Sequence, residues 1–330
     1  MLATAYIWGA RGMFSALVHM VCTIIAGAIA FAAWEPVTDI LMNFSNGAMV
    51  DWAHGLGLAL PFAISLTLLR LATNSILPKN VDLDGITNMV GGAVCGVIAG
   101  VITTGIFIIS LGYLRFENTL MGYEPLTYAN NGSLVRTSSL LVPVDRLTGS
   151  FYSAMSTSTL RTEENLAKWH PDIADEGPAL RMNFDEGKSR HVHKPKSFEV
   201  LSLYSVDTPR GVFNDSFEPT KKRTYTYTNG DLAPEGGTSL VGVVGKFAAS
   251  ANEKSGRVIV GASQVRLIAD KGDGTTMAIH PAAVLSEAEP PANPRKDDAG
   301  KHPKGRWAYD AQKTFISTVG GRNESPMAFE

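Results

Sequence analysis

Residues Ile86–Leu114, ITNMVGGAVCGVIAGVITTGIFIISLGYL, run without a charged side chain between Asp84 and Arg115. At ~1.5 Å per residue this stretch makes a helix of roughly 40 Å, longer than the ~30 Å hydrocarbon core of a bilayer. Such a helix tilts, or leaves its polar first turn at Thr87 and Asn88 among the headgroups. Gly92, Gly96 and Gly100 recur at every fourth position, so they share one face and open a groove for the close approach of a second backbone. A helix so long, apolar and small-faced suits lipid and a tightly packed neighbour, and the rest of the chain is read outward from it.

The charges divide the chain sharply. Residues 1–114 carry only Arg11, Arg70 and Lys79 as basic side chains and Glu35, Asp39, Asp51, Asp82 and Asp84 as acidic ones, out of 29 basic and 31 acidic in the whole. The first third is lipid-soluble in composition and the remainder is that of a water-soluble protein. Balanced charge in the remainder gives no reason to expect nucleic acid as a partner. Both cysteines, Cys22 and Cys95, fall in apolar segments, so the trailing part holds neither a disulfide framework nor a cysteine-ligated zinc.

Upstream of the long helix, Met1–Ala10 (MLATAYIWGA) reaches only ~15 Å as a helix, half a crossing, and is read as a truncated first helix in preference to the alternative, a re-entrant half-helix. Arg11-Gly12 makes a break, and Met13–Trp34 then supplies a full span. Its small strip of Ala26, Gly27, Ala30 and Ala33 is expected to meet the glycine face. Glu35–His54 reads as a polar loop, and Gly55–Ala72 as a third span interrupted by Pro61. Thr73–Gly85 forms a second loop with a turn at Pro78-Lys79-Asn80, and Asp84 is expected to N-cap the long helix. Arg11, Arg70 and Lys79 fall on one side, which the positive-inside rule assigns to the cytoplasm; Trp34, Trp52 and Tyr113 fall at the other interface. Everything after about residue 115 is then extracytoplasmic.

The expected architecture is an α-helical transmembrane bundle, three full spans plus a short first one, followed by a soluble, mostly β, sandwich-like domain. The expected divisions are 1–115, 116–237 and 238–330. In the middle region Val144–Ser156 and Thr162–His170 read as short helices, Asp172–Lys196 as a surface loop, Phe198–Tyr204 as a strand and 205–236 as a linker. Thr238–Ala248, Arg257–Ala269, Thr276–Leu285 and Arg306–Val319 read as four antiparallel strands, with Ser325–Glu330 an edge strand or one cut short. Glu287–Gly305 reads as an unstructured loop rich in proline and charge.

With the first third laid out in this way, it resembles the CvpA (colicin V production) family of bacterial inner-membrane proteins. Arg11-Gly12-Met13-Phe14 matches the signature that opens the family's second helix, with Ser15 and Ala16 where a basic residue and a glutamate are usual. Leu83-Asp84, followed by Gly92, Gly96 and Gly100, matches the second signature, with Asn88 in place of its first glycine. The likeness covers residues 1–114. It implies a non-enzymatic multi-pass protein of the bacterial inner membrane that supports toxin production or export, or envelope homeostasis. The alternative is a membrane-anchored binding module that holds an envelope protein or polymer through its C-terminal β domain.

The residues that could carry chemistry are few. The glycine face of Gly92, Gly96 and Gly100 serves either packing within one chain or a homo-oligomer contact. His19, inside the Met13–Trp34 span, is a candidate intramembrane polar site, or an interfacial residue reaching the cytoplasmic headgroups. His191-Val192-His193, with His170 upstream, has metal-ligand spacing, but Lys188, Arg190, Lys194 and Lys196 surround the pair with positive charge. No GxSxG elbow, Walker loop, HExxH or dinucleotide glycine fingerprint occurs. The sequence therefore names no catalytic residue, metal site or cofactor, and its expected partners are the lipid bilayer, a second copy of the chain and an unidentified envelope component.

Overall fold

The computed structural model describes residues 2–77, 81, 84–114, 123–128, 134–137, 140–182, 196–206, 212–213, 222–223, 239–252, 258–272, 275–281, 283–286, 306–308, 314–316 and 324–330. The chain divides into two compact units. One comprises Met1–Arg115, Leu140–Pro178 and Asp270–Met277; the other comprises Phe116–Ser139, Ala179–Ala269 and Ala278–Glu330.

The first unit is helical. It contains α1 (Leu2–Arg11), α2 (Met13–Phe44), α3 (Val50–Ile76), α4 (Gly85–Gly112), α5 (Val144–Thr157), α6 (Leu166–Trp169) and the start of α7 (Ile173–Arg181). Three of these helices, α2, α3 and α4, are long and apolar enough to cross a membrane. Gly12 separates α1 from α2 at φ 92°, a backbone conformation that side-chain-bearing residues rarely adopt. α4 begins after Asp84, whose carbonyl accepts from Asn88 N at 2.8 Å, although its side chain makes no capping bond.

Glu35–His54 differs from the loop expected of it. α2 continues through Pro36 to Phe44, a short turn follows, and α3 begins at Val50. Proline and acids read as a break, but the extension is held by tertiary contacts. Trp34 Nε1 donates to the His54 carbonyl at 2.8 Å, and Thr38 is buried against Gly57. A proline early in such an extension removes only one ladder bond.

The glycine face also has a different neighbour from the one expected. A Cβ at Gly92 would stand 2.7 Å from the Trp8 carbonyl oxygen, and one at Gly96 would stand 2.8 Å from that of Thr4. It is therefore α1, too short to cross a bilayer, that lies in the groove. Gly100 is buried further along the same helix. In the alanine strip of α2, Ala26 and Ala30 are fully buried, and Gly27 lies against the Tyr152 ring.

That tyrosine belongs to α5, which packs on the bundle rather than forming part of a separate linker region. Gly105 of α4 admits Val144 and Thr148; Thr148 Oγ1 donates to Val101 O at 3.3 Å, and Tyr152 OH donates to Ile24 O at 3.1 Å. Ile24 lies ten residues before Trp34, ~15 Å along α2, so α5 reaches well down the helices. The surface loop expected over 172–196 begins instead with α7. Ile173 and Ala174 are buried, and Gly177 comes so close to α4 that a Cβ there would stand 2.6 Å from the Gly112 carbonyl carbon. α6 is a single turn capped by Asn165, whose side chain accepts from Lys168 N at 2.9 Å.

The second unit carries most of the strands. They are β1 (Leu126–Tyr128), β2 (Leu134–Arg136), β3 (Phe198–Val206), β4 (Val212–Phe213), β5 (Lys222–Arg223), β6 (Leu240–Ala248), β7 (Ile259–Gly261), β8 (Leu267–Asp270), β9 (Thr276–Ile279), β10 (Ala283–Ser286), β11 (Arg306–Ala308), β12 (Thr314–Ile316) and β13 (Glu324–Phe329). Among the described residues, instead of four strands in an antiparallel sandwich, the strands form the two-stranded pairs β1-β2, β12-β7 and β8-β9 and one seven-stranded sheet, β3-β6-β13-β10-β11-β4-β5. Its pairings are antiparallel except β11 with β4. The long apolar runs break because 3-10 turns at Ala249–Ala251 and Ala262–Gln264 redirect the chain. Ser325–Glu330, expected at an edge, lies mostly in β13 between β6 and β10, with Met327, Ala328 and Phe329 buried. β4 and β5 fall within the expected linker 205–236, and β3, which precedes the expected boundary at 238, pairs along β6. On β6, Gly242 and Gly245 leave room for the rings of Tyr204 and Phe198. A core of Phe247, Val258, Val260, Val284, Met327 and Phe329 closes this unit.

Candidate functional site

Two polar clusters lie toward opposite ends of α2 in the helical unit. The larger is built around Trp34, which is 2 % exposed. Its indole holds the first turns of α3 through the bond to His54 O, and its ring centroid is 5.0 Å from that of Tyr113 at the end of α4. The sequence put Trp34 and Tyr113 at one level, and the two rings meet there. The His54 ring stacks on Tyr113 with centroids 5.9 Å apart.

Onto this aromatic platform the chain after α6 lays His170, its ring 4.8 Å from Trp34. Nδ1 of His170 is 2.8 Å from Glu176 Oε2, and the same carboxylate oxygen accepts from Tyr113 OH at 2.7 Å. Nε2 of His170 is 3.2 Å from Glu35 Oε1. Both ring nitrogens thus face carboxylate oxygens, an arrangement in which an imidazolium donates twice and a neutral ring only once. Glu176 is nearly buried, whereas Glu35 is 72 % exposed, so the Glu35 contact is screened by solvent and the Glu176 contact much less. Asp175, beside Glu176, pairs with Arg146 of α5 at 3.4 Å. Chemically the array ties α6 and α7 to the later part of α2, the first turns of α3 and the residue that follows α4.

Sequence reasoning named His170 only as a companion of His191 and His193, which lie outside the described residues. It did not anticipate the meeting of His170, Glu176, Glu35 and His54. The available signal was an acid, Glu35, next to a tryptophan expected at the membrane interface, at a helix end expected to be free. Among the described residues no group of three or more His, Cys, Asp or Glu is arranged to hold a metal ion.

The second cluster gathers three of the residues singled out in the sequence. The His19 ring stacks on Trp8 of α1, centroids 4.2 Å apart and planes at 19°. The guanidinium carbons of Arg11 and Arg70 lie 5.0 and 5.2 Å from the centroid of the same Trp8 ring. Gly12 sits at the adjacent junction, where Met13 N donates to Asn88 Oδ1 at 2.6 Å. This bond joins the Arg11-Gly12 turn to the first turn of the helix that Asp84 opens. Comparison with protein-family models, curated proteins and solved structures finds no match for this chain.

Proposed function

We propose that the chain is a multi-pass membrane protein working as a non-enzymatic envelope factor of the CvpA type, in support of toxin export or envelope homeostasis. The observation that carries this reading is the junction at Gly12. The Arg11-Gly12 and Asp84-to-Gly96 stretches, far apart in sequence, meet through the Met13–Asn88 bond and the seating of α1 on Gly92 and Gly96. That makes the two signature segments one structural element, as residues serving a common purpose should be. Under the same reading α2, α3 and α4 cross the inner membrane with Arg11 and Arg70 cytoplasmic, and the segment after α4 begins outside the cytoplasm. α5 then dips back to membrane depth as a regular helix, whose backbone bonds are made within the segment. The His170–Glu176–Tyr113 array is a latch rather than a reaction centre, since its polar groups are engaged with one another.

Deleting the gene in the cell that makes the protein and scoring envelope integrity and toxin release tests the reading. Loss of either, restored by the wild-type chain and not by Gly12→Ala, supports it. An unaltered envelope and unaltered release refute it. A second reading, an anchor for a binding module, is favoured by the separate closed core of the β unit.

A further inference from the structure

We propose that His170 makes the hold of α6 and α7 on the helical bundle depend on pH, firm while its ring is protonated and weaker once the ring is neutral. The proposal deepens the reading of this array as a latch and rests on it. The ring lies between carboxylates from two different elements, with Glu176 Oε2 of α7 2.8 Å from Nδ1 and Glu35 Oε1 of α2 3.2 Å from Nε2. An ionised carboxylate only accepts hydrogen bonds, and a neutral imidazole carries one N–H, so only the charged ring bonds both at once. Taking up a proton therefore completes a bridge from α7 to α2, and giving it up breaks one side. The Glu35 side breaks more readily. That carboxylate is 72 % exposed and takes water instead, while the side chain of Glu176 is 8 % exposed and also receives the Tyr113 hydroxyl at 2.7 Å.

The elements packed around the ring bring the following groups to it. α2 brings Glu35, and α7 brings Glu176 with Asp175 beside it, the latter paired with Arg146 of α5 at 3.4 Å. α3 brings a second imidazole, His54, which stacks on Tyr113 with centroids 5.9 Å apart. The chain on either side of His170 brings Lys168, paired with Glu164 at 3.4 Å, and Asp172, whose carbonyl accepts from Asp175 N and Glu176 N at 2.8 and 3.1 Å. Arg146 and Lys168 each have an acid of their own, so the charge that the His170 nitrogens meet directly is negative. Two carboxylates at hydrogen-bond distance favour the charged ring more than burial of the ring opposes it. A group that takes its proton more readily in the folded than in the unfolded chain stabilises fully below its unfolded pKa, ~6.5 for histidine. It stops doing so as pH rises through the folded value. The latch is therefore firm at about pH 6 and loosens above neutrality.

The test is hydrogen exchange of the α7 amides in the full chain, purified in detergent, at about pH 6 and about pH 8.5. Each rate in His170→Asn is divided by the wild-type rate at the same pH, which cancels the intrinsic pH dependence of exchange. The variant is expected to exchange about twenty-fold faster than wild type near pH 6 and about two-fold faster near pH 8.5, where the neutral ring keeps its bond to Glu176. That fall is the tenfold carried by one unit of pKa difference between folded and unfolded chain. Glu35→Gln leaves the buried contact in place and offers an amide that bonds the neutral ring as well as the charged one. It should exchange several-fold faster than wild type near pH 6 and no faster near pH 8.5. His54→Asn should leave the wild-type pH dependence standing. A His170→Asn ratio above one that is the same at both pH values keeps the latch and overturns its pH control, whereas a ratio of one at both removes the latch as well. A pH dependence that vanishes with His54→Asn belongs to the other imidazole and also overturns the proposal. If His170→Asn does not fold, Glu35→Gln decides, and equal ratios at the two pH values refute the inference.

Discussion

Replacing Gly96 by leucine strikes the contact on which the seating of α1 depends. Even the first carbon of the new side chain would stand 2.8 Å from Thr4 O, 3.0 Å from Trp8 Cβ and 3.1 Å from Ala5 Cα. That is about 0.6 Å short of ordinary contact with the carbonyl oxygen. Two of the three atoms are backbone, so no rotamer change relieves the overlap and α1 must move as a body. Overpacking of this kind costs about 1–3 kcal/mol, while leaving glycine returns somewhat under ~1 kcal/mol of helix propensity. The net destabilisation of Gly96→Leu is therefore expected at a few tenths to about 2 kcal/mol, larger where the rest of the leucine also lacks room. The assay is a disulfide between Gly9→Cys and Ala93→Cys in a chain whose Cys22 and Cys95 are alanine. A Cβ built at Gly9 stands 3.5 Å from Ala93 Cβ, within the range of real disulfides. The pair should oxidise readily in the parent, and Gly96→Leu should suppress it. Gly85→Leu is the control, because nothing lies within 4 Å of a Cβ there. If Gly96→Leu crosslinks and melts like the parent, α1 is not seated on the glycine face.

Other consequences follow from the same contacts. Gly12→Ala puts a side chain at φ 92° and should cost about 1–3 kcal/mol, read as a lower thermal midpoint in detergent. His170→Ala leaves Glu176 nearly buried with a partner removed, a loss of about 1–3 kcal/mol; proteolysis should then cut between α5 and α7 sooner, and an unchanged digestion pattern would argue against the latch. Tyr152→Phe removes the bond to Ile24 O and should cost about 0.5–1.5 kcal/mol, whereas Gly27→Leu, which collides with the same ring, should cost more.

The three long helices were legible because uninterrupted apolarity over some twenty residues has few other uses. What the sequence hid was how far they run. Pro36, Asp39 and Asp51 look like loop residues until Trp34 and Thr38 are seen gripping the start of α3. The partner of the glycine face was hidden for a related reason: length ruled α1 out as a span, but a short helix fills a groove just as well. Gly27 and Gly105 carried a signal for α5, since small residues off the main ladder call for a further neighbour, yet nothing local in Val144–Thr157 says what it covers. The His170 array joins residues from four distant segments, and no spacing rule links them. In the β unit, alternation located β3 and β6 correctly. The order of the sheet depends on pairings that sequence pattern does not specify, such as β13 sliding between β6 and β10.

Cysteine labelling tests the central claim, that α2, α3 and α4 pass through lipid, most directly. In a chain with Cys22 and Cys95 replaced by alanine, Ala48→Cys marks the turn between α2 and α3, and Leu77→Cys marks the end of α3; both positions are exposed. An impermeant maleimide applied to intact spheroplasts should label Ala48→Cys at once and Leu77→Cys only after lysis. Equal labelling of the two from outside would contradict the account.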